Sequence, residues 1–69
     1  MKYLISRKLD IEALRRCNGW TATHVAEISG IHRNTIARIE AGETPSLANA
    51  MALAHLFGYR VEDIWTLSA

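Results

Sequence analysis

"GIHRNTIARIEAG", residues 30–42, is the stretch on which the reading of this chain turns. A glycine stands at each end. Stepping about 100° per residue from Arg33 brings Arg33, Asn34, Ala37, Arg38 and Ala41 into one arc of about 140°. Ile36 and Ile39 fall on the other side. The spacing therefore predicts an amphipathic helix over residues 33–41, with its isoleucines packed inward and two arginines and an asparagine projecting together.

The projecting side chains have a matching chemistry. Arginine offers a fork of donors to guanine O6 and N7, and asparagine can pair with adenine N6 and N7. Ala37 between them is small enough to allow close approach or to touch a thymine methyl. Taken alone, the same face also reads as an ordinary solvated helix surface.

Working outward, the remaining glycines and the single proline, Pro45, punctuate four further stretches with helical spacing. Residues 9–18 place Leu9, Ile11 and Leu14 on an apolar side and stop at Asn18-Gly19. Thr21 is a good N-cap for residues 22–29, where Val25, Ala26 and Ile28 are candidates for burial. Ser46 follows Pro45 and caps a helix running to Phe57, apolar almost all round and so expected at the centre. Residues 61–65 form a last short helix, with Glu62 and Asp63 suited to its N-terminus. Alternation fit for a strand is faint and confined to residues 2–6. The expected fold class is all-α: five short helices in one domain over residues 1–69, with residues 1–8 as a candidate N-terminal arm.

Size and composition bound the function. A chain of 69 residues buries only about 60% of its unfolded surface and gains from pairing. Cys17 is the only cysteine, so no internal disulfide forms, and it reads as a small helix residue in a reducing compartment. The apolar fraction of 49% is enough for a packed core. No run approaches the roughly 18 apolar residues of a membrane span, and "YLIS" is too short for a signal peptide core. A soluble, cytoplasmic protein is expected. The net charge is only +1. Residues 1–40 hold seven basic against four acidic residues, +3, and residues 41–69 hold one against three, −2. One basic half permits a nucleic-acid face without demanding one.

The run "TATHVAEISGIHRNTIARIE" joins a short helix, a glycine turn and a second short helix, with Ala26 where the two must approach closely. Together with "ALRRCNGWT" before it and "RIEAGETPSL" and "MALAHLFGYRVEDIW" after it, this resembles the lambda-repressor-like family of Cro/repressor, or Xre-type, proteins across residues 9–66. The resemblance implies a compact five-helix domain whose third helix enters the major groove of double-stranded DNA. His32, Arg33, Asn34, Ala37 and Arg38 would then be the base-reading set. Thr21 and Thr23 would meet phosphate at the start of the second helix, where free backbone N–H groups suit an anion. Arg15 and Glu40 match a structural pair bridging the first and third helices.

The chain departs from the family pattern at four positions. Ala22 replaces a glutamine, Ala41 an asparagine, and Glu43 a basic residue, so phosphate contacts are lost and general DNA affinity should be weak. His32 stands where serine or threonine commonly caps the third helix, and histidine is a poorer cap. Arg7 and Lys8, near the N-terminus, are candidates to grip the DNA backbone in compensation; they also read as solvated charges. His24, His32 and His55 lack metal-ligand spacing, and no catalytic set or phosphate loop occurs, so no metal, cofactor or enzymatic reaction is expected.

Trp20 should close the gap between the first two helices. Trp65 reads either as a lid on the core or, with Leu67, as an anchor for a second copy; "KYLIS" could serve as an arm that packs or pairs across such a dimer. The leading expectation is a sequence-specific DNA-binding transcriptional regulator, a homodimeric repressor on an inverted-repeat operator. The alternative is a protein-interaction module or antitoxin-like partner that keeps the fold with reduced DNA reading.

Overall fold

The computed structural model describes residues 4–68. In chain order these form strand β1 (Leu4–Arg7), helices α1 (Ile11–Cys17), α2 (Ala22–Ser29), α3 (Arg33–Glu40), α4 (Leu47–Phe57) and α5 (Val61–Ile64), and strand β2 (Trp65–Ser68). Local chemistry sets most of these bounds. Asp10 accepts a hydrogen bond from the Glu12 amide at 3.0 Å, so α1 begins at Ile11 and Leu9 stays outside it. Thr21 and Ser46 cap α2 and α4 by accepting from the amides of His24 and Asn49. Gly30 ends α2 in the left-handed region, at φ 76°, which turns the chain directly into α3.

Each helix contributes to one core: Ile11 from α1, Val25 from α2, Ile36 and Ile39 from α3, Leu53 and Ala54 from α4, and Ile64 from α5. Trp20 lies at the edge of this core, where its ring stands 5.9 Å from that of Phe57 and 5.7 Å from that of His24. It thus ties the turn between α1 and α2 to the end of α4.

Two expectations about burial are corrected. Helix α4 is not buried all round, because Leu47 and Met51 are 71% and 55% exposed. They stand four residues apart, one turn along the helix, and no other element of the described residues covers them. Ile28 is also exposed. It lies about 110° from the midpoint of Val25 and Ala26, outside the arc that α2 turns inward.

The all-α expectation holds for the five helices and misses a small antiparallel sheet. Leu4, Ile5, Ser6 and Arg7 pair with Ser68, Leu67, Thr66 and Trp65 respectively. The Lys8 amide extends the ladder to the carbonyl of Ile64 at 2.6 Å. Within "KYLIS", Lys2 and Tyr3 lie outside the described residues, while residues 4–6 pair with the chain's own C-terminal strand. The described part of the expected arm is therefore a strand. No helix of the described residues is long and apolar enough to cross a membrane.

Candidate nucleic-acid interface

Helix α3 has the two faces its spacing implies. Ile36 and Ile39 are buried, whereas His32, Arg33, Asn34, Ala37 and Arg38 are all exposed. The turn leading into it is anchored by buried Ile31, whose amide donates to Ser29 Oγ at 3.2 Å. His32 does cap the helix: its Nδ1 accepts from the Asn34 amide at 3.0 Å. That bond needs a free lone pair on Nδ1, which puts the proton of the neutral ring on Nε2. The side chains of Arg33 and Asn34 make no hydrogen bond or ion pair among the described residues.

Arg38 is differently placed. Its Nε lies 3.4 Å from Glu43 Oε2, and its NH2 donates to Thr35 Oγ1 at 3.4 Å. The cause is the way α3 ends. The Gly42 amide donates to the Ile39 carbonyl and the Glu43 amide to the Arg38 carbonyl, the paired bonds of a Schellman motif. Gly42, at φ 113°, supplies the backbone that lets the chain reverse there. Glu43 is thereby folded back beside Arg38. From the sequence, Glu43 stands only for the loss of a basic residue, and its pairing with Arg38 is missed, although a glycine followed at once by an acid five residues beyond an arginine is the signal for it.

The third helix is tied down at its C-terminal end. Arg15 makes a two-pronged contact with Glu40, Nε to Oε2 at 2.7 Å and NH2 to Oε1 at 3.1 Å, while its NH1 donates to the Trp20 carbonyl at 3.1 Å. Both side chains are nearly buried, 12% and 13% exposed. The hydrogen bond to Glu40 raises the Arg15 pKa above its ordinary value, burial opposing it, with the charges of Glu40 and Glu12 adding to the rise. The guanidinium therefore stays charged at every working pH. The pair thus links α1 to the end of α3.

Arg7, expected at phosphate, has another engagement. Its NH1 donates to the carbonyls of Ile39 and Glu40 at 3.0 and 3.2 Å. Arg16 pairs with Glu12 at 2.8 Å, and Arg60 with Glu62 and Asp63 at 3.6 and 3.7 Å. Among the described basic residues, only Arg33 and Lys8 are left without an ion pair or side-chain hydrogen bond. Thr21 and Thr23 are exposed at the start of α2, the hydroxyl of Thr21 accepting its cap bond and still free to donate.

The two residues considered for a dimer contact part company. Trp65 is buried in the core, whereas Leu67 is 64% exposed. They share a strand face, but Leu67 stands about 6.7 Å further along the strand. It lies opposite Ile5, and with Leu47, Val61 and the rim of Trp65 these side chains line an apolar groove.

A helix held by its buried isoleucines, joined by a glycine turn to a partner of equal length and presenting arginine and asparagine outward, defines a helix-turn-helix module. The chain belongs to the Cro/C1-type, Xre-like helix-turn-helix family, whose model matches residues 11–64. That family suggests a DNA-binding transcription regulator. No curated protein and no solved structure matches the chain. The strand segments 4–7 and 65–68 lie outside the family match.

Proposed function

We infer that this protein is a sequence-specific regulator that binds double-stranded DNA with α3 in the major groove. The observation that carries the reading is the outward face of α3, where Arg33 and Asn34 are exposed and uncommitted behind buried Ile36 and Ile39. Arg33 and Arg38 would read guanine, Asn34 adenine, with Ala37 at a thymine methyl and His32 presenting its Nε2–H. Thr21, Thr23 and Lys8 would hold phosphates.

The protein acts as a homodimeric repressor that covers an inverted-repeat operator. Exposed Ile5, Leu47 and Leu67, on one groove, supply apolar surface that a second copy would bury. Selection from randomised duplex DNA tests the reading. Enrichment of a symmetric site supports it, and an unenriched pool at low salt overturns it.

A second reading, a protein-interaction module with reduced DNA reading, has one observation in its favour: Glu43 already occupies Arg38. A stoichiometric protein partner with no DNA binding would select it.

A further inference from the structure

We propose that Arg7 is a positioning residue for α3, through which the terminal β1–β2 sheet fixes the register of the DNA-facing helix. The proposal rests on the DNA-binding reading above. Arg7 stands 32 residues from Ile39 in the chain, yet its NH1 reaches the carbonyls of both Ile39 and Glu40.

Those carbonyls belong to the last turn of α3, where helix geometry leaves acceptors outside the intrahelical ladder; that of Ile39 already accepts from the Gly42 amide, so Arg7 is its second donor. The Glu40 carbonyl receives Arg7, and a cation at a helix C-terminus also opposes the negative end of the helix dipole. Bonds from an ionised donor are about twice as strong as neutral ones.

The anchor behind Arg7 is fixed as well. Arg7 faces buried Trp65 across the sheet, and the next amide, Lys8, donates to Ile64 at the end of α5. Glu40 is therefore gripped twice, its carboxylate by Arg15 from α1 and its carbonyl by Arg7 from β1. At the other end of α3 the cap is local, made by His32 within the turn. A helix rotates its side chains by about 100° for each residue of slip, so holding one end sets the direction of Arg33, Asn34 and Arg38. The sheet lies outside the family match, so this tie is separate from the Arg15–Glu40 bridge, whose two residues lie inside it.

The experiment compares wild type with Arg7→Met, which keeps the stem and removes the donors, and with Arg7→Lys. Affinity for the wild-type-selected duplex and for an unrelated duplex is measured across salt, at a temperature where circular dichroism finds every variant folded. Positioning predicts a loss of about tenfold for Arg7→Met on the selected duplex, little change on the unrelated one, and an unchanged salt slope. Arg7→Lys should recover part of the loss. Amide exchange at Gly42 and Glu43 should speed up in Arg7→Met as the helix end loosens.

A slope smaller by about 0.9, with equal losses on both duplexes, would make Arg7 a phosphate contact and overturn the proposal. Undiminished affinity with a lower melting temperature would reduce it to a fold staple and overturn it too. A wild type that selects no duplex defeats the DNA reading first, and the positioning role falls with it.

Discussion

Glu43 lies 3.4 Å from Arg38, folded back onto α3 by the turn that ends the helix. An acid at the mouth of a DNA-reading surface acts in two ways: it repels phosphate and it competes with DNA for the arginine. Both partners are more than half exposed, so the pair itself contributes only about 0–1 kcal/mol. Glu43→Gln should therefore leave stability nearly unchanged. It should tighten DNA binding about two- to fivefold at low salt, read as Kd in a titration of the selected duplex.

The turn that delivers Glu43 depends on Gly42. At φ 113°, any side chain is strained although nothing stands within 4 Å of where a Cβ would sit. Gly42→Ala should cost about 1–3 kcal/mol in urea unfolding. If the mutant keeps wild-type stability, the backbone here is not the determinant.

The Arg15–Glu40 pair carries a larger share of the fold. Removing one partner leaves the other charge in a nearly closed site, at a cost of about 2–4 kcal/mol after allowance for its residual exposure. For a domain of this size, that lowers Tm by more than about 8 °C. Arg15→Met and Glu40→Gln should both show it in thermal unfolding. The raised Arg15 pKa sets the sign of the pH effect: the arginine's contribution is present below its unfolded value and lost only above its folded one. Alkaline titration up to pH 11 should therefore reveal no loss of stability from Arg15.

Ile5 and Leu67 face each other across the sheet and are both exposed. Leu67→Glu should split the proposed dimer in sedimentation while leaving the helical circular dichroism intact. A wild type that is monomeric at high concentration would remove that role.

Much of this was legible because it is local. Thr21, Ser46 and Gly30 mark their helix ends within three or four residues, and the opposition of Ile36 and Ile39 to Arg33 and Asn34 follows from the helical period alone. Apolar spacing alone starts α1 two residues early, at Leu9, which fits the apolar side, whereas the cap at Asp10 sets the true start at Ile11. The sheet was hidden for another reason. Four-residue strands scarcely establish a period of two, and Arg7 and Trp65 pair although all five helices lie between them in the chain. What depended on that pairing, the engagement of Arg7 with α3 and the exposure of Leu67 beyond buried Trp65, was equally out of reach.

Base reading by α3 rests most on Arg33, its uncommitted arginine. The most direct measurement is the affinity of Arg33→Ala for the selected duplex and for single base-pair variants of it. The expected result is a loss of about 1–3 kcal/mol on the selected duplex that vanishes on variants of one base pair, with discrimination relaxed there alone. An equal loss on every duplex, with a salt slope smaller by about 0.9, would contradict it and make Arg33 a phosphate contact.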